Sequence, residues 1–251
     1  MLMNKCLSIA VLAICMACAP IQSIDTPNAV DDPEKTDYLL AHYTFDGTCA
    51  DMSANAYDGV AIGAPSYTDD TPDGSVSALK INGFKGQFVN IPYSFMNGIK
   101  EYTISMWIKD FTSGILFSAI SSDYVRSDYP RLLVTEDQRF RFYSGYDNYD
   151  TSIPYTYDCV PLMTGAWHHI AITVKGVKNN RDYVETSLYV DGVRVDSIEK
   201  YWSEGAANKM VLGSDRDGYY PVSMSATYDN VRFYACALNN AEIKNLYNNR
   251  K

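Results

Sequence analysis

The sequence predicts an all-β fold: two packed antiparallel sheets with one short C-terminal helix. Three observations carry this. Short apolar runs separated by turn residues recur from Tyr38 onward, Asp191-Gly192 sits between two β-branched runs, and no sustained 3.6-residue periodicity appears before the end of the chain. So many short strands at this spacing bury their apolar faces only by packing as two sheets.

The first strand, 38–45, alternates and places Leu39, Ala41, Tyr43 and Phe45 on one face. Further strands are predicted at 78–81, 87–91, 102–109, 115–120, 131–135, 139–144, 167–174, 184–190, 193–198, 210–212 and 225–234. Asp191-Gly192 reads as a two-residue hairpin turn, because Gly supplies the positive φ that such turns require. Within 167–174, alternation groups His168 with Ile170, Ile172 and Val174, and His169 with Trp167. His168 is therefore expected in the core, neutral and hydrogen-bonded. After the last strand, Asn239 caps a short helix carrying Ile243, Leu246 and Tyr247 on one side.

At 251 residues the chain accommodates one large β domain. Its formal net charge of −9 leaves no basic stripe to displace counterions from a phosphate backbone, which argues against nucleic-acid binding. The 21 Tyr residues suit strands and ligand-stacking loops alike. Outside the N-terminal segment the cysteines are Cys49, Cys159 and Cys236, enough for one internal disulfide and without zinc-site spacing.

Residues 1–17 place Lys5 before the apolar run 7–14, too short to cross a bilayer core of ~30 Å, and read as a secretory signal peptide. The segment ends Cys15-Met16-Ala17-Cys18, which resembles a bacterial lipobox. Cys18 is thus expected to be lipidated, anchoring the protein at the bacterial outer membrane or cell surface; a plain cleaved signal is the alternative. Residues 18–36, rich in Pro and Asp, form a flexible tether before the domain at 37–251.

Ligand-stacking aromatics are expected in the loops: Tyr124 and Tyr129, Tyr146 and Tyr149, Tyr155 and Tyr157, Trp202, and Tyr219 and Tyr220 beside Arg216 and Asp217. A flat ring can lie on a sugar face while neighbouring Asp, Asn and Arg fix its hydroxyls. The alternative is that these rings pack loops onto the sheets. No G-x-S-x-G nucleophile elbow is present.

Segments 165–174, 187–192 and 227–234, together with 43–47, 51–55, 78–83 and 102–109, resemble in order and spacing the LamG-like, concanavalin A-like lectin/glucanase domains. The resemblance implies the jelly roll and a non-catalytic carbohydrate-binding module. It also implies a structural calcium held by Asp46, Asp229 and a loop carbonyl near Asn82-Gly83, unless Asp46 and Asp51 cap turns and Asp229 pairs with Arg232 or a Lys. Glycosidases of this architecture carry paired acids as E-x-D-x-E on one strand, so that they share a face. No E-x-D-x-E occurs; the pairs Asp69-Asp70 and Asp215-x-Asp217 sit among turn formers and read as solvated loop charges. The expected partner is a glycan or a surface protein. A protein-binding adhesion module and a glycoside hydrolase with non-standard acids are the alternatives.

Overall fold

Strands with one apolar face need a second such face, and the chain supplies two sheets. The computed structural model describes residues 38–120, 130–144, 156–202, 207–215 and 224–249, all within one unit, Lys35–Lys251. The elements are β1 (Leu39–Tyr43), β2 (Val60–Ile62), β3 (Ser66–Thr68), β4 (Ala78–Asn82), β5 (Phe88–Pro92), β6 (Tyr102–Lys109), β7 (Gly114–Ile120), β8 (Arg131–Val134), β9 (Phe140–Tyr143), β10 (His168–Val177), β11 (Asn180–Val190), β12 (Val193–Tyr201), β13 (Lys209–Leu212), β14 (Ser225–Tyr234) and the helix α1 (Asn240–Asn248). One sheet runs β12-β11-β10-β6-β14-β4-β3, with β1 also on β14; the other runs β2-β5-β13-β7-β8-β9. Ile104, Ile108, Ile170 and Ile172 of the first face Phe117, Leu132, Phe142 and Met210 of the second across one core.

Strand β14 has three partners. Ser225 to Tyr228 pair with β4, Val231 to Tyr234 with β1, and both halves with β6. A register shift between Asp229 and Arg232, with Asn230 at φ 48°, divides the halves. Such a bulge bends a strand and re-aims its side chains.

The predicted strands are present, most within a residue or two at each end. The sequence reading omits β2 and β3, three-residue edge strands whose side chains are mostly exposed and so carry no alternation. Cys49, Cys159 and Cys236 form no disulfide. Helix α1 begins where expected: the Asn239 side chain accepts from the Ala241 and Glu242 N–H groups while Glu242 reaches back, a full capping box. It packs on the outer face of the eight-stranded sheet, burying Ile243 against Ala171, Tyr189, Tyr234 and Leu238.

That packing buries His169, which alternation leaves on a solvent face, while both ring nitrogens of His168 find the partners expected of them. His168 keeps 15% of its side-chain exposure, with Nδ1 2.9 Å from Asp191 Oδ2 and Nε2 3.1 Å from the Met163 carbonyl. His169 is the fully buried one, because α1 covers the sheet face that alternation assigns to solvent. Its ring lies 5.3 Å from Trp107 and 6.3 Å from Tyr247, and neither ring nitrogen has a hydrogen-bond partner. Burial first, and then the Arg232 charge, lower its pKa to about 3.

The hairpin and the helix are coupled. Asp191 and Gly192 both take positive φ, 50° and 77°, as a type I′ turn demands. A Cβ on Gly192 would meet the Tyr247 Cβ at 2.9 Å. Gly192→Ala is therefore expected to lower stability by about 1–3 kcal/mol in urea titration, through strain and a displaced α1. The His169 shift predicts a pH effect. A folded value of about 3 against an ordinary 6.5 means the stability is complete above about pH 6.5 and is lost as pH falls toward 3. His169→Gln should flatten that part of the stability–pH curve, measured by thermal unfolding between pH 7 and 4.

Candidate functional site

Alternation in the six-stranded sheet turns Val89, Phe117, Leu132, Phe142 and Met210 inward and their neighbours outward. Strand register then aligns five outward residues in one row: Asn90 beside Val211, Val211 beside Ser118, Ser118 beside Arg131, and Arg131 beside Tyr143. Val211 joins Phe88 and Ile120 in a small apolar patch separate from the main core. Beyond β13, Gly213 at φ 82° turns the chain, and a Cβ there would meet Ile81 Cγ2 at 2.9 Å. Asp215 follows, and its Oδ1 accepts the Ser118 hydroxyl at 3.0 Å while Oδ2 lies 3.8 Å from Arg131 Nη1. The Arg131 guanidinium sits 4.5 Å over the Tyr143 ring.

Asp215, expected as a solvated loop charge, is thus 9% exposed and tied to the sheet. Arg131 and Ser118 replace the water lost at such burial with a cation and a hydrogen-bond donor. Two polar atoms of the row, Asn90 Oδ1 and Arg131 Nε, are buried without a hydrogen-bond partner. Such atoms are the kind a bound hydroxyl or an ordered water completes.

The predicted tyrosines lie close in sequence to this row: Ile120 and Pro130 flank 121–129, Tyr143 and Ser144 precede 145–155, and Asp215 precedes 216–223. Tyr124, Tyr129, Tyr146, Tyr149, Tyr155, Arg216, Asp217, Tyr219 and Tyr220 lie outside the described residues, as does Cys18. Two other expected aromatics are corrected. Tyr157 is fully buried in the core, with the Lys200 ammonium 5.6 Å from its ring centre. Trp202 is half-buried against the core, and Lys100 covers its ring at 5.1 Å, so it is no bare platform. Asp70, the other presumed loop charge, accepts from Lys109 Nζ at 2.5 Å and from Trp167 Nε1 at 3.0 Å; these two bonds hold its carboxyl below the usual range.

The residues proposed for calcium separate into two places. Asn82 pairs with Ser225, four residues along β14 from Asp229, or about 13 Å at strand rise, and the Gly83 N–H donates to the Met224 carbonyl. Antiparallel register therefore removes Asn82 and Gly83 from Asp229. Instead the 69–77 loop arrives there: Ser75 Oγ donates to Asp229 Oδ2 at 3.3 Å, and Asp73 Oδ2 accepts from Asn230 Nδ2 at 3.2 Å. Asp46 Oδ1 accepts the Ser77 N–H at 3.0 Å nearby. Asp229 is fully buried with Oδ1 unpartnered, and burial first, then Asp73, raise its pKa to about 7. Arg232 bonds Asn230 Oδ1 at 3.0 Å, and His42 Nε2 shares that oxygen at 2.8 Å. Asp51 does cap a turn; N–H donations from His42, Ser53 and Tyr57 outweigh the upward push of burial and hold its pKa low.

A concave feature of about 360 Å³ lies on the opposite outer face between β10, β11 and the turn before α1. Some of its polar groups pair with one another: Arg194 with Glu185 at 2.9 Å, and Tyr189 with Asn240 at 2.8 Å. The sequence reading missed Ser118, Arg131 and Tyr143. The available signal was Arg131 and Tyr143 at outward positions of alternating strands, but which strands adjoin is a matter of register.

Residues 83–244 match the Laminin_G_3 family, described as the concanavalin A-like lectin/glucanases superfamily. No curated protein matches the chain. Among solved structures, domain 4 of AbnA, a GH43 extracellular arabinanase from Geobacillus stearothermophilus in complex with arabinotriose, is 21% identical with a TM-score of 0.62, covering 84% of this chain and 98% of that one. The binding domain of Paraclostridial Mosquitocidal Protein 1 has a TM-score of 0.64 at 17% identity, over 86% of this chain and 53% of that one. The binding domain of Botulinum Neurotoxin DC, in complex with SialylT, has a TM-score of 0.64 at 15% identity, over 86% and 52%. This chain spans about half of the last two, and at such identities the likeness is one of fold. With its two antiparallel sheets and a family match over most of its length, the chain belongs to the concanavalin A-like lectin/glucanases superfamily.

Proposed function

We propose that the protein is a non-catalytic carbohydrate-binding module, lipid-anchored through Cys18 at the bacterial outer membrane or cell surface. One observation carries the glycan reading. The Asp215–Arg131–Tyr143 arrangement offers a fixed guanidinium, a carboxylate and a ring on one sheet face, flanked by unpartnered Asn90 Oδ1 and Arg131 Nε. Sugars are held by such a combination of apolar stacking and oriented polar groups. Two fold neighbours were solved with saccharide ligands, arabinotriose and SialylT, which supports the same use here. Asp70, Asp191 and Asp215 each hold a structural partner, a use distinct from glycosidase chemistry. Exchange of Arg131 for Ala is expected to weaken binding of whichever polysaccharide the full-length chain retains by about tenfold, or 1.4 kcal/mol. Affinity electrophoresis and calorimetry check this; unchanged affinity contradicts the reading.

Calcium belongs to the same proposal, at the Asp229 end of β14. Asp229 Oδ1 is an orphaned hard oxygen, with Asp73 and Asp46 in its field. Among the described residues no three acidic, His or Cys side chains stand at metal-holding spacing. A calcium ion, which takes about six to eight oxygens, would therefore take Asp229 Oδ1 with at most one of Asp73 and Asp46 and draw the rest from carbonyls and water. Its role is structural, tying the 69–77 loop to β14. Because the bound ion requires ionised Asp229, calcium should raise the melting temperature by several degrees at pH 8 and by less at pH 6. Asp229→Asn should abolish the increment. An equal increment in wild type and variant contradicts the assignment.

A further inference from the structure

We infer that the glycan taken by the outer face of the six-stranded sheet carries a carboxylate, from a uronate or a sialate, and that Arg141 holds that group. The inference rests on the glycan reading above and adds the ligand's chemical class together with the residue that selects it.

Arg141 shares its face with Arg131 and Tyr143. On β9 the side chains of Phe140 and Phe142 turn into the core, which leaves Arg141 and Tyr143 outward. Register sets Arg141 beside Leu133 of β8 on one side and beside Thr156 on the other. It therefore lies one row from the Arg131–Tyr143 pair, about 7 Å away at strand rise. Nε of Arg141 donates to Thr156 Oγ1 at 2.9 Å, which fixes one edge of the guanidinium plane. Among the described residues no other group bonds it, so both Nη groups face outward for a ligand.

The two guanidiniums of this face differ in what balances them. Arg131 has Asp215 at 3.8 Å, a carboxylate 9% exposed and anchored by Ser118. The acids next to Arg141 are committed elsewhere. Asp137 lies 3.2 Å from Arg139 and accepts the Thr135 hydroxyl, and Asp158 lies 3.6 Å from Arg139. Arg141 is only in the wider field of Asp137. Among the described residues no carboxylate pairs with it.

An unpaired guanidinium held along one edge presents a planar fork, and a carboxylate fits that fork through two parallel N–H···O bonds. Such charge-assisted bonds are about twice as strong as those a neutral hydroxyl makes. A sugar ring lying against Tyr143 and Arg131 brings an exocyclic carboxylate to the adjoining row, where Arg141 stands. The net charge of −9 opposes an anion at long range. At about 0.15 M salt, however, charges more than about 8 Å apart are largely screened, and a pair in contact is screened far less.

The test is a glycan array of matched pairs at about 0.15 M salt: sialyllactose and lactose, free and methyl-esterified trigalacturonate, and native and carboxyl-reduced glucuronoxylan fragments. It is probed with the full-length chain and with Arg141→Gln and Thr156→Val. In the sialate or the uronate series the acidic member is expected to bind at least about tenfold more tightly than its neutral partner, and the series in which it does so identifies the source of the carboxylate. Arg141→Gln should bring that ratio to about one, and Thr156→Val, which removes the anchor of the fork, should lower it. Acidic members that bind no better than neutral ones in every bound pair, or a ratio unchanged by Arg141→Gln, overturn the inference while leaving the glycan reading in place. If Arg141→Gln fails to fold, the wild-type ratio and the response to Thr156→Val decide. Absence of binding to every glycan overturns the glycan reading itself, and the carboxylate assignment with it.

Discussion

Strand β14 pairs along its length with β6 on one side and must divide its other side between β4 and β1. No regular strand does this. The shift between Asp229 and Arg232, with Asn230 in the left-handed region, lets the two halves take different partners and turns the side chains of 229, 230 and 232 toward the outer face. Those side chains then become the anchor for the 69–77 loop and for His42. Burial there is nearly complete, yet Asp229 Oδ1, Arg232 Nη1, Ser105 Oγ and both His169 nitrogens lack hydrogen-bond partners. Unpaired buried polar atoms are costly, so water or an ion is expected among them.

The two outer faces of the sandwich are therefore used differently. On the eight-stranded sheet, α1 and the 69–77 loop convert what would be a solvent face into a second buried layer, with Ile243 and Tyr247 packed on it. The concave feature described there is lined in part by groups bonded to each other. The six-stranded sheet instead carries outward a paired charge, a stacked ring and unpartnered polar atoms. The first arrangement is that of a scaffold, and the second is the one we propose for recognition.

How much of this the sequence discloses follows from the range of the interactions involved. Alternation and turn chemistry are local, so β6 and β14 are legible to the residue, as are the Asp191-Gly192 hairpin and the Asn239 cap. The roles of His168 and His169 are not, because alternation separates two faces without saying that a helix from the chain's end covers the outer one. Asn82 and Gly83 are misplaced for a related reason: which residue of β4 faces Asp229 is set by antiparallel register, invisible in one sequence. The same holds for Asp215, whose partners Ser118 and Arg131 lie about 100 and 80 residues away in the chain and meet it only through β7–β8–β13 pairing.

The central claim is that ligand recognition belongs to the outer face of the six-stranded sheet. Backbone amide chemical-shift mapping of the labelled full-length chain, titrated with its tightest glycan from a neutral panel, tests it most directly. The account predicts that the largest shifts fall on Asn90, Ser118, Arg131 and Tyr143, with Thr173, Ser187 and Asn240 unmoved. Shifts confined to Thr173, Ser187 and Asn240, beside α1 on the other sheet, would contradict it.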